Sequence, residues 1–215
     1  MAILQWDATG ERKYELGVDH GILFVFDNGA YKDGVVFNGL TSVQESPDGA
    51  EANDIWADNM KYGSIRSAEN FKGTIEAYMY PPEFAECDGS ITLVKGVTVT
   101  QQTRKHFGLA YRSNIGSDTT DWAEDYRIHL VYGATVSPSE RNHETVNDSP
   151  EPAQLSWEFD TVPTPVPGYR NTAHIYVTKS ECDPTKFKAF EDYLIGTATT
   201  ESKLPMPDKL KELFT

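Results

Sequence analysis

Cysteine is nearly missing from this chain: the 215 residues hold two, Cys87 and Cys182. They stand far apart and in no CxxC or Cys/His spacing, which argues against a zinc finger and leaves a disulfide unforced. Basic residues are also scarce, 19 Lys and Arg against 33 Asp and Glu, for a net charge of −14 and a pI near 4.7. That balance excludes broad attraction to the outside of a nucleic-acid duplex, where phosphate contacts need Lys and Arg. The same balance keeps free subunits soluble and, on a channel wall, stops a polyanion from sticking. No apolar run approaches the length of a membrane span, and the first residues, MAILQWDATGERKYELG, lack a basic segment followed by an apolar core. A protein made in the cytosol and kept there, or released by lysis, is expected.

Local catalytic signatures are missing too. There is no GxSxG, GxxxxGK[ST], GxGxxG or HExxH, and no two of His20, His106, His129, His143 and His174 lie within four residues of each other. Nucleophile elbows, phosphate loops and a metal site are therefore not expected. A triad gathered from distant residues leaves no local motif. Cys87 would then be the least poor nucleophile, although a buried structural thiol is the better reading of it. The other candidate is the acidic knot after Pro81-Pro82, where Glu83 and Glu86 are three apart and Cys87 and Asp88 follow. Two carboxylates on one turn suit a general acid/base pair, but Pro-Pro before and Asp88-Gly89 after make a capped corner, and nothing marks an apolar pocket for one carboxyl. We read it as a corner.

What is present points to strands. Hydrophobic residues make up 39% and aromatic residues 12%, with 16 Gly and 12 Pro to turn the chain. The run Gly21-Ile22-Leu23-Phe24-Val25-Phe26 closes on Asp27-Asn28-Gly29, which predicts a hairpin with an exposed tip over 27–34. Thr74, Glu76, Tyr78 and Tyr80 alternate with Ile75, Ala77 and Met79, the second set facing the core. Ile128, Leu130 and Tyr132 alternate with Arg127, His129 and Val131; Leu155, Trp157 and Phe159 with Ser156, Glu158 and Asp160; Ala173, Ile175 and Val177 with His174, Tyr176 and Thr178. Short half-buried strands of this kind predict antiparallel sheets packed as a sandwich or barrel in a single domain over 1–215.

Residues 41–70 mix Ser, Pro, Gly, Asn and acids around Ile55, Trp56, Met60 and Tyr62, which reads as an extended loop docked on its own domain or on a neighbour. Over 45–89 there are ten acidic residues against three basic ones, so half the net charge sits in about a fifth of the chain. Asp183 as N-cap, Pro184, the stripe Phe187, Phe190 and Leu194, and Gly196 predict one helix over about 183–196. A shorter helix after Pro207, with Leu210, Leu213 and Phe214 on one face, would need a partner surface, so 197–215 reads as an arm. Pro163, Pro165 and Pro167 suggest a stiff connection between strands. Trp56, Trp122, Trp157 and Tyr169 raise a sugar-stacking platform as an alternative, with Trp6, Trp56 and Trp122 the credible exposed tryptophans and Trp157 more at home in a core.

Several longer stretches carry a family resemblance: AILQWDATGERKYELGVDHGILF, FNGLTSV with ESPDGAEA, DNMKYGSIRSAE, GTIEAYMYPPEFAECDG, QQTRKHFGLAYR, HLVYGATVSPSE and NDSPEPAQLSWEF. From residue 1 to beyond 184, thinning towards the C-terminus, the chain resembles the major tail tube proteins of long-tailed, non-contractile bacteriophages. The resemblance implies a mainly β fold, a two-sheet antiparallel sandwich or barrel with one flanking helix and extended arms. It also implies hexameric rings stacked into a tube in the virion tail, with DNA passing through without specific binding. Tape-measure and tail-terminator proteins would be partners, and no cofactor or catalytic residue would be needed. On that reading Glu76 and Glu158 are the candidates for a lumen lining. Ile55, Trp56, Leu210, Leu213 and Phe214 are candidates for contacts between subunits, with docking inside the same chain as the alternative. A carbohydrate-binding module, a hydrolase and a head or tail decoration protein are the readings of other classes.

Overall fold

The computed structural model describes residue 4, residues 6–120, 125–146, 148 and 152–215. Its centre is a nine-stranded antiparallel sheet. Strand β1 (Lys13–Asp27) pairs with β12 (Phe107–Ser117), which pairs with β13 (Asp125–Val136). Strand β13 then serves two partners: Arg127 to Val131 pair with β15 (His174–Thr178), and Ala134 to Val136 pair with β14 (Leu155–Thr161). The change of partner falls at Gly133, whose φ is +59° and where a Cβ would lie 2.5 Å from the Val162 carbonyl oxygen. A side chain at that kink would meet backbone, so glycine is required there.

Beyond the kink the ladder continues through β14, β9 (Lys72–Ala77) and β4 (Leu40–Glu45), and this part folds back over the first. The two layers expected from the sequence are thus parts of one folded sheet. Strand β4 comes against β1, but among the described residues no hydrogen-bonded ladder joins them, so the barrel does not close. The fold is mainly β.

Two cores result. Between the layers, Leu23, Leu109 and Val131 meet Ile75, Ala77, Trp157 and Phe159. On the other side of β1, β12 and β13, Phe24, Ala110, Leu130 and Tyr132 meet Phe187, Phe190 and Leu194 of helix α1 (Pro184–Ile195). The middle strands are therefore covered on both faces, and Ile128 through Tyr132 are all buried where alternation had suggested one wet face. Helix α1 starts and stops where its caps require: the Asp183 carboxylate accepts from the Thr185 and Lys186 N–H groups, and Gly196 follows with φ +86°.

Four expectations need correction. The stretch 41–70 is not a loop: it holds β4 and then a two-stranded arm, with β5 (Asp48–Gly49) on β8 (Glu69–Asn70) and β6 (Ala52–Ala57) on β7 (Met60–Arg66). Asp58 and Asn59 turn the arm with φ +50° and +59°, a conformation their short polar side chains tolerate. The C-terminal tail is not a free arm either. Helix α2 (Pro207–Phe214) docks on its own chain, with Leu210 only 7% exposed in the second core and Leu213 and Phe214 packed against that core. Lys186 Nζ holds it there by donating to the carbonyls of Phe214 and Thr215, and the Phe214 ring lies 5.7 Å from Phe190. The partner surface that so short a helix needs is α1.

Strand β9 ends at Ala77, short of the Tyr80 expected, so Met79 is 53% exposed instead of inward. The Tyr78 N–H goes to the Gly39 carbonyl, Pro81 and Pro82 have none to offer a ladder, and Tyr80 turns in, edge-on to Trp157 and Phe84. Finally, the 27–34 tip is only partly exposed. Strand β2 (Ala30–Tyr31) returns along β1, β3 (Val35–Phe37) pairs with it further back, and the Tyr31 hydroxyl accepts from the Gly133 N–H. A further hairpin that the sequence did not announce is formed by β10 (Ile91–Val94) and β11 (Val97–Val99). Among the described residues no helix is long and apolar enough to cross a membrane.

Candidate functional site

The acidic knot is a corner. Pro82–Glu86 form a single 3-10 turn that drives Phe84 into the core, Glu86 pairs with Lys105 at 2.6 Å, and Asp88 pairs with Arg141. Cys87 is fully buried, and burial, with Glu86 beside it, pushes its thiol up to about 12. A thiol so reluctant to ionise is no nucleophile.

The outer face of β4, β9 and β14 is polar. Trp157 pairs with Ile75 across the ladder, both inward, so the residues next to them in sequence point out together: Ser156 and Ser42 flank Glu76, and Glu158 and Gln44 flank Thr74. Glu76 accepts from Ser42 Oγ at 2.8 Å and from Gln154 Nε2 at 3.1 Å, while Glu158 is exposed. Alternation thus placed Glu76 and Glu158 on one face, and the structure brings them to adjacent strands. On this face Glu76 is hydrogen-bonded and Glu158 stands open to solvent, so it presents exposed negative charge.

The arm carries the opposite chemistry. Ile55, Met60 and Ile65 are exposed, as are Trp56 at 67% and Tyr62 at 75%. The β10–β11 hairpin likewise exposes Ile91, Leu93, Val94 and Val97. Soluble surfaces rarely group this many apolar side chains in the open. Of the sugar-platform candidates, Trp157 is fully buried, Trp56 rides on the arm, Tyr169 is exposed in the connection after β14, and Trp122 lies outside the described residues.

One constellation escaped sequence reasoning. Glu45 at the end of β4, His129 on β13 and His174 on β15 converge: His129 Nδ1 lies 3.1 Å from His174 Nε2 and 3.3 Å from Glu45 Oε1, and His174 Nε2 lies 3.7 Å from the same oxygen. The Tyr111 hydroxyl donates to Glu45 at 2.6 Å, and its ring stacks on His129 with centroids 4.6 Å apart. On the far side, His129 Nε2 meets Ser113 Oγ at 2.9 Å and Glu15 Oε1 at 3.4 Å. Burial pushes His174 down to about 4, and the contact with His129, aided by Tyr111, holds the Glu45 carboxyl at about 2 against its own burial. At neutral pH the cluster therefore presents a neutral imidazole at His174 and a carboxylate at Glu45. The only signal in the sequence was that His129 and His174 each alternate with apolar residues; which strands pair, and so which histidines meet, is a long-range fact.

The described residues thus form a folded, mainly β sheet with a polar outer face, exposed apolar ribbons and a buried thiol. A family model for phage tail tube proteins matches residues 17–199, and the chain belongs to that family, whose members are structural, non-enzymatic components of the virion tail. No curated protein matches the chain. Among solved structures it is similar to the sheath/tube terminator of an extracellular contractile injection system in its extended state, at 12% identity over 81% of this chain and 99% of that one, with a TM-score of 0.32. It is similar also to the sheath-tube complex of such a system, at 12% identity over 74% of this chain and 88% of that one, again with a TM-score of 0.32. Likeness at that level carries no argument about this chain.

Proposed function

We infer that the protein is the major tail tube subunit of a long-tailed, non-contractile bacteriophage. Subunits made in the host cytoplasm close into hexameric rings, rings stack into a tube, and DNA passes through an acidic lumen. The observation that carries this reading is the outer face of β4–β9–β14, with Glu76 and Glu158 on it and with β4 the last hydrogen-bonded strand of the ladder among the described residues. Edge strands of neighbouring subunits can extend one another's sheets, which removes the unpaired N–H and C=O groups that invite disordered aggregation. A lumen assembled from such faces repels duplex phosphates and lets DNA slide.

The exposed apolar side chains of the arm, Ile55 and Trp56 foremost, suit contacts between subunits or between rings. Tape-measure and tail-terminator proteins are the further partners of such a tube. Exposed Glu158 gives the clean test, because Glu76 also holds Ser42 and Gln154. Tails carrying Glu158→Lys should assemble and eject DNA several-fold more slowly at low salt, with the defect relieved as salt rises. Ejection at the wild-type rate at every salt concentration would remove Glu158 from the lumen.

A further inference from the structure

The geometry points to a divalent-metal site of the zinc class at Glu45, His129 and His174, which clips the root of the β5–β8 arm to the main sheet. A four-coordinate metal with bonds of about 2.0–2.1 Å to N and O sets its ligand atoms about 3.3 Å apart. The three atoms here stand 3.1, 3.3 and 3.7 Å from one another, close to one face of such a tetrahedron. Two imidazoles and one carboxylate are a donor set that suits zinc.

The surroundings have the arrangement that orients a histidine ligand. Ser113 Oγ donates to Glu15 Oε1 and lies 2.9 Å from His129 Nε2, which turns the other ring nitrogen, Nδ1, toward the cluster. An outer hydrogen-bond partner of this kind fixes the orientation of a ligating ring. Tyr111 steadies the carboxylate, and Phe71 stacks on His174 with ring centroids 4.5 Å apart. A pocket of about 190 Å³ lined by Glu15, Val18, Val43, Glu45 and His129 reaches two of the ligands and leaves room for an entering ion and a water at the fourth position.

The site's place explains its use. Glu45 is the last residue of β4 before the arm, and Phe71 lies just after the arm and before β9, so both roots touch the histidine pair. A metal there fixes the angle at which the arm leaves the sheet.

The test uses the full chain, stripped with EDTA and titrated with Zn²⁺ by calorimetry and with Co²⁺ by visible spectroscopy. One equivalent of Zn²⁺ should bind, Co²⁺ should give the intense bands of a tetrahedral site, and free Zn²⁺ at about 100 times Kd should raise the melting temperature by about 5–10 °C. Glu45→Gln and His174→Asn should each abolish all three effects, while His143→Asn, exposed and remote in sequence, should keep them. If His174→Asn fails to fold, Glu45→Gln at the cluster's wetter side decides alone. Binding well below one equivalent, an octahedral Co²⁺ spectrum, or Zn²⁺ stabilisation that survives Glu45→Gln would overturn the site.

Discussion

At Asp19 burial pushes the carboxyl up, but hydrogen bonds from Arg112, His20 and Asn114 outweigh it and hold the group at about 2, against 3.8 when free. Arg112 grips both carboxylate oxygens, at 2.6 and 2.8 Å. A folded-state value below the unfolded one adds stability above pH 3.8 that is lost as pH falls towards 2. Asp19→Asn should therefore flatten the acid limb of a melting-temperature profile between about pH 4 and pH 2, and an unchanged limb would assign acid sensitivity elsewhere. Trp157 is the other decisive residue: fully buried, it packs edge-on against Phe37, Tyr80 and Phe84. Trp157→Ala should cost about 3–5 kcal/mol in chemical unfolding. Trp157→Phe should cost clearly less, because it also removes an indole N–H that has no hydrogen-bond partner. Single residues were legible where period two sufficed, as with Ile75 inward and Glu76 outward. The meeting of Glu45, His129 and His174 was not, because it needs three strands far apart in sequence to find their register.

Among the elements, α1 was legible nearly to the residue, since Asp183, Pro184 and Gly196 write its ends locally. The arm was not. Its strands pair in polar, acid-rich sequence with no buried face to impose alternation, and β6 and β7 are exposed almost throughout. Helix α2 was legible as a helix but not in its docking, which depends on α1 arriving from upstream. An element without a core of its own contributes little to the fold that carries it. Replacing residues 52–66 by a short turn should leave the melting temperature of the isolated subunit within a few degrees of wild type while abolishing self-association, as read by light scattering. Loss of folding would show instead that the arm belongs to the subunit's own core.

For the whole molecule, the folded sheet sorts surface by chemistry: helices cover one face of β1, β12 and β13, a second layer covers the other, and the outer face of that layer is wet and acidic. With a net charge of −14, free subunits repel each other, and the apolar ribbons and sheet edges are the surfaces that the proposed assembly would use against that repulsion. Membership of the tail tube family and this distribution of surface meet in one claim, that the chain is the repeating unit of a hollow tube. Electron microscopy of the purified protein, together with its wild-type tails, tests it most directly. The account predicts six-fold rings or stacked tubes, built on continuous sheet, with Glu76 and Glu158 facing the bore. Tails whose tube density places the β4–β9–β14 face on the outside, or contains no copy of this chain, would contradict it.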